Sequence, residues 1–151
     1  MKNKKLIFKI ITIIVFIIMS VGLYAYKEYN RKNVDLAETK AAYSLTEMQL
    51  INEFSQDQNT SNKKYLGKII ELVGNIKKID TDVNGYHTVV LGNAVNMNSV
   101  RCSVDSAFNK EAHNLSVGST VVIRGICTGY NADDLGLGSD IILNRSISIN
   151  K

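Results

Sequence analysis

Proline is missing from this chain of 151 residues, tryptophan is missing too, and cysteine occurs only twice. Proline withdraws a backbone donor from a helix or a sheet, so nothing here interrupts a continuous β-ladder. The two cysteines, Cys102 and Cys127, stand 25 positions apart. That spacing excludes the close-set pairs of a structural zinc site and the Cys-x-x-Cys of a redox centre. His87 and His113 are the only histidines and add no ligand spacing to them, so no metal or other cofactor is expected. No nucleophile is matched with a base and no acid with a base, so the chain is read as non-enzymatic. Aromatic side chains make up 7% of the residues, which leaves any stacking surface to a few tyrosines.

What the sequence does have is a long apolar run at its start. After Met1-Lys2-Asn3-Lys4-Lys5, residues 6–26 (LIFKIITIIVFIIMSVGLYAY) carry one charge, Lys9, whose stem can lie in hydrocarbon while its ammonium reaches the headgroups. A helix of that length, rising about 1.5 Å per residue, spans the roughly 30 Å core of a bilayer. The stretch from Ile10 exceeds the roughly 7–15 residues of a signal-peptide core, and Ser20-Val21-Gly22 and Leu23-Tyr24-Ala25 are mediocre cleavage sites. An uncleaved anchor is therefore expected over a cleaved signal peptide. Lys2, Lys4, Lys5 and Lys9 precede the run without an acid, against Lys27, Arg31 and Lys32 with Glu28 beyond it. This bias puts the N-terminus inside and makes the chain a single-pass membrane protein whose C-terminal domain lies outside the cytoplasm.

The net charge of +4 suggests nucleic-acid binding until it is divided. Seven of the 18 basic residues and one of the 14 acids lie in residues 1–32, leaving that segment at +6 and residues 33–151 at −2. A phosphate backbone is bound by a concentrated positive face, and the total of the globular part supplies none.

Three segments follow from the periodicity: a cytoplasmic tail, anchor and linker (1–32), an amphipathic helix (33–64) and a β domain (65–151). Leu36, Ala37, Ala41, Leu45, Met48, Ile51 and Phe54 recur at helical spacing. They predict one helix of about 20 residues, with a break allowed near Ser44 to Thr46, ending before the polar QDQNTSN stretch and packing on the domain that follows. From Lys68 the period becomes two. Strands are expected over 68–80, 86–92, 98–105, from 119 and over 140–149, with a turn at Asn84-Gly85, a bend at Gly74 and a short helix over 106–115 capped by Asp105 or Ser106. A long bent strand, two more strands, a short helix and two last strands is the order of the five-stranded OB-fold, a Greek-key barrel. The fold class is thus mainly β with α, preceded by an amphipathic helix and a transmembrane helix.

The same residues carry a family resemblance. Tyr65-Leu66-Gly67-Lys68 runs into Ile70-Glu71-Leu72-Val73-Gly74; then come Val100-Arg101-Cys102, Leu115-Ser116-Val117-Gly118, Val121 to Gly129 and Asp140-Ile141-Ile142-Leu143-Asn144. Together they resemble the tRNA-anticodon-like OB-fold family of small bacterial envelope proteins, over residues 65–149. The family often has a further cysteine in its last strand, where this chain has Ser146, and a shorter loop where this chain has NADDLGLGS (131–139). The resemblance implies a fold like that of anticodon-binding domains and does not by itself imply RNA binding.

The alternation turns Cys102 and Cys127 inward, where they are candidates either for a disulfide across the barrel or for buried free thiols. In an OB barrel the third and fourth strands are not neighbours, which bears on the bridge. Ligands of OB barrels lie across strands 2 and 3 and the loops 1–2 and 4–5. Tyr86 and Tyr130 in those loops, with Lys77, Arg101 and Arg124, are the candidate ligand contacts; Lys78 would join them if the basic residues converge on one face. Asp133, Asp134 and Asp140 lack the spacing of a calcium loop and are read as a solvated loop. Arg145 interrupts an apolar face and is read as a bulge or a residue at the barrel mouth. The expected function is a membrane-anchored, non-catalytic binding or interaction module whose partner is an envelope protein, with single-stranded nucleic acid or oligosaccharide as the alternative ligand.

Overall fold

The computed structural model describes residues 2–29, 35–93, 95–132 and 138–149. It divides into two units, Met1–Val34 and Asp35–Lys151. The first holds one helix, α1 (Lys2–Tyr29), 28 residues long. From Ile13 to Met19 every side chain is an exposed large apolar group, so consecutive positions cover the whole circumference of the helix. The side chains of residues 1–12, where the expected anchor begins, lie outside the described residues. Among the described residues no helix is long and apolar enough to cross a membrane.

In the second unit a strand β1 (Tyr43–Thr46) and two helices, α2 (Glu47–Gln56) and α3 (Gln58–Tyr65), replace the single helix expected over this region. Thr46 ends the strand and starts α2 through a capping box: its hydroxyl accepts from Gln49 N, and the Gln49 side chain accepts from Thr46 N. Asp57, extended at φ −152°, closes α2 and opens α3, its carboxylate accepting from Thr60 N and Thr60 Oγ1. The polar stretch before which the predicted helix was to end is therefore itself helical, because a cap starts it and Tyr65, 1% exposed, anchors its end in the core. Leu50, Ile51 and Phe54 of α2 are buried with it.

Five strands follow: β2 (Ile69–Thr81), β3 (His87–Leu91), β4 (Ser99–Val104), β5 (Thr120–Asn131) and β6 (Asp140–Ser148). They close in the order β2-β3-β4-β6-β5, with β5 pairing back to β2, and β4 to β6 is parallel. This is the OB-fold barrel. The 13-residue β2 makes closure possible by serving two neighbours, β5 through Ile69–Asn75 and β3 through Ile76–Thr81. Its bulge falls between Ile76 and Lys78, not at Gly74. Gly74 answers a different need, since a Cβ there would stand 3.0 Å from Glu47 Cβ, so glycine lets the start of α2 approach the strand. At the β2–β3 turn, Asp82 Oδ1 accepts from Asn84 N and Tyr86 N, and Gly85 takes the positive φ of 81° that the turn requires.

Between β4 and β5 lie a 3₁₀ turn (Ser106–Phe108), capped by Asp105 as expected, and a single helical turn, α4 (Asn109–Ala112). Arg145 takes φ 55° where both pairings of β6 slip register, and its Nε donates to Asp105 Oδ2 at 3.1 Å. It is the bulge residue. The barrel core is filled by Ile70, Leu72, Val89, Leu91, Val100, Ile123, Ile141 and Leu143, all nearly inaccessible.

Candidate binding face

Because Val89, Cys102 and Leu143 point inward, alternation turns their neighbours outward. Lys78, Val90, Arg101 and Ile142 form one cross-strand row on the outer wall. Asp80, Thr88 and Ser103 form the next row, and Asp140 stands opposite Ser99. Arg101 sits among the carboxylates: its Nη2 donates to Asp80 Oδ2 at 3.3 Å, and its Nη1 is 3.9 Å from Asp140 Oδ2. Lys78 Nζ reaches Asp80 Oδ1 at 2.6 Å, and this contact, ahead of Arg101, holds the Asp80 carboxyl below its usual pKa. Ser99 donates its hydroxyl to Asp140. Two cations are matched by two anions, so the wall is polar and electrically balanced.

The other basic candidates are placed apart from this row. Lys77 occupies the bulge of β2 and donates to Asn96 O at 2.7 Å, beside the β3–β4 loop. Arg124 lies on β5, on a different wall, opposite Glu71 of β2. Its Nε and Nη2 donate to Glu71 Oε2 at 3.2 and 2.7 Å, and its Nη1 donates to the carbonyls of Leu36, Ala37 and Thr39 at 2.9, 3.2 and 2.9 Å. A guanidinium has donors enough to tie that turn to the barrel. Lys77, Lys78, Arg101 and Arg124 thus do not converge on one face.

The tyrosines divide as well. Tyr86 is in the β2–β3 turn, 49% exposed. Tyr130 is half-buried and stacks on Phe54, ring centroids 5.1 Å apart at 19°, so one of its faces is already covered. Of the β5–β6 loop, Asp133 and Asp134 lie outside the described residues; its base is fixed where Ser139 N donates to Asn98 Oδ1 at 2.9 Å.

Both cysteines are free and buried. Each pairs with Leu143, one from either side, so β6 runs between them. Two strand spacings of about 4.8 Å put their backbones roughly 10 Å apart, beyond the about 7 Å a disulfide can bridge. The bridge considered from the sequence is not made. Burial pushes the Cys102 thiol up to about 12, against a hydrogen bond from Ser146, and raises Cys127 too, which suppresses thiolate chemistry at both.

Two features were hidden in the sequence. The carboxylates that neutralise Arg101 come from Asp80 and Asp140, 21 positions before it and 39 after, and only barrel closure brings them in. The two histidines meet with their Nε2 atoms 3.5 Å apart, which the 26 positions between them do not foretell.

The sequence matches the tRNA_anti-like family over residues 1–141. The chain belongs to that family. The match begins at the first residue and takes in the apolar segment that the sequence resemblance left out. None of the curated proteins matches. Among solved structures, a lipoprotein of Klebsiella pneumoniae provisionally described as nucleic acid-binding superposes with a TM-score of 0.54 at 18% identity, over 70% of this chain and 91% of its own. At that identity the likeness is one of fold. Asparaginyl- and aspartyl-tRNA synthetases of Entamoeba histolytica give TM-scores of 0.40 and 0.45 at 13% and 11% identity, covering 56% and 80% of this chain. The match spans only 21% and 24% of those enzymes.

Proposed function

We propose that this family member is a non-catalytic binding module, held at a membrane by α1, that contacts another envelope protein through the outer wall of β2, β3, β4 and β6. The observation that carries the reading is Arg101 set between Asp80 and Asp140. A wall whose cations are each answered by a carboxylate gives a polyanion no net attraction, while alternating charge beside the half-buried Ile142 suits a polypeptide surface of complementary pattern. The membrane role is supported by the stretch Ile13–Met19 of α1, whose large apolar side chains cover the whole circumference of the helix, and by Lys2, Lys4, Lys5 and Lys9 in its N-terminal sequence.

Single-stranded nucleic acid is the second reading, favoured by the family and by the ligand class attached to the Klebsiella lipoprotein. It would use Tyr86 as a stacking platform and need ligand phosphates to displace Asp80 and Asp140 from Arg101. Two measurements on the full chain, one in the intact membrane and one in detergent, separate the readings. A photo-crosslinker at Thr88, tested in the intact membrane, should give one discrete protein adduct that Arg101→Glu removes. Saturable, salt-dependent binding of labelled single-stranded RNA or DNA that is lost in Arg101→Ala would overturn the proposal in favour of nucleic acid.

A further inference from the structure

The proposed face leaves the histidine pair unused. His87 begins β3 and is 7% exposed; His113 follows α4 and is exposed. The fold holds these elements together through Asn109, whose Oδ1 accepts from His87 N at 3.0 Å and whose Nδ2 donates to Gly85 O at 2.8 Å. The two rings meet edge to face, 83° apart, and their Nε2 atoms share a hydrogen bond at 3.5 Å. Two nitrogens bound to one tetrahedral zinc at about 2.0–2.1 Å stand about 3.4 Å apart, so the pair is already at ligand spacing. We propose that His87 and His113 form an open two-histidine site for zinc or another tetrahedral divalent cation, beside the β2–β3 turn.

The second partner of His87 fits that role. Its Nδ1 lies 2.9 Å from Thr81 Oγ1. With the proton on Nδ1 and donated to the hydroxyl, Nε2 of His87 accepts the hydrogen bond from His113 Nε2, and a cation that takes the place of that shared proton would be held by both nitrogens, as metal-bound imidazoles are commonly oriented by a partner on the other nitrogen. Among the described residues no group of three or more His, Cys, Asp or Glu gathers around one point, so the protein supplies two ligands and water the rest. The site is then a modest-affinity surface site rather than a structural zinc centre. Occupancy would pin the turn of residues 82–86, which carries Tyr86, to the segment that ends in His113.

The test uses the full chain without a histidine tag, in detergent, titrated with zinc by calorimetry and with cobalt(II) by visible absorption. One zinc per chain, cobalt bands of tetrahedral intensity, and affinity at least ten-fold weaker in His113→Ala are expected. His113 is exposed, so that variant keeps its fold; His87→Gln should give the same loss. Binding should also weaken as pH falls and protons compete for the imidazoles. Equal zinc affinity in wild type and His113→Ala, or no binding by wild type at millimolar zinc, would overturn the proposal.

Discussion

Arg124 offers the sharpest test of how this barrel is held to the segment before it. Its side chain is 14% exposed and its partner Glu71 24%, and one guanidinium serves that carboxylate and three backbone carbonyls of residues 36–39. Breaking a buried ion pair by removing one partner costs about 3–5 kcal/mol when the other charge stays buried. Here Glu71 keeps some access to water and a hydrogen bond from Ser44, and the Ala37 carbonyl belongs to an exposed residue. Arg124→Ala should therefore cost about 2–3 kcal/mol, between an exposed pair and a fully buried one. In urea unfolding of residues 35–151, with a slope of roughly 1–3 kcal/mol/M, the midpoint should fall by about 0.7–3 M. Arg124→Lys keeps the charge but loses the fork and should recover about half of that loss. Residues 36–42 should also become cleavable by protease before global unfolding, because the tether is local. A midpoint within 0.3 M of wild type, on the scale set by that slope, with unchanged cleavage would refute the strap.

Other outcomes follow from single contacts. In Gly125→Ala the new Cβ would meet Ser146 Oγ at 2.5 Å and Leu143 Cβ at 3.1 Å, so the variant should lose about 1–3 kcal/mol by overpacking, and adding Ser146→Gly should restore part of it in a double-mutant cycle. Thr46→Ala removes one side of the capping box and should cost about 1 kcal/mol by the same unfolding assay. Cys102 and Cys127 should react with a thiol reagent only after denaturation, and the intact mass without reductant should be that of two free thiols; a mass two hydrogens lower would show a bridge. The Asp105 carboxyl is held low by the Ala107 amide first and by Arg145 after it. A depressed folded pKa adds stability above the unfolded value of about 3.9 that is lost as pH falls through the folded one, so the acid limb of a stability profile should flatten in Asp105→Asn.

The strands and their order were legible because a period of two survives any tertiary context that buries one face, and the absence of proline left every run intact. That the apolar first segment is helical was legible from its composition, whereas among the described residues no helix is long and apolar enough to cross a membrane. Asp105 as a cap and Arg145 as a bulge were readable because each is a local event, an N-cap and an interrupted alternation. The segment 33–64 was read as an amphipathic helix of about 20 residues with a break allowed near Ser44 to Thr46; the break is where α2 starts, marked by the capping box at Thr46 to Gln49, but the part before it was misread because Leu45, a strand residue of β1, happened to continue a helical spacing. Closure of the barrel alone decided the rest. It put β6 between Cys102 and Cys127, brought Asp80 and Asp140 to Arg101, sent Arg124 to another wall and set His87 against His113. Local sequence fixes which way a side chain faces along its own strand, but its cross-strand and cross-barrel neighbours are set by register among segments tens of residues apart, and those neighbours determine its charge environment and its use.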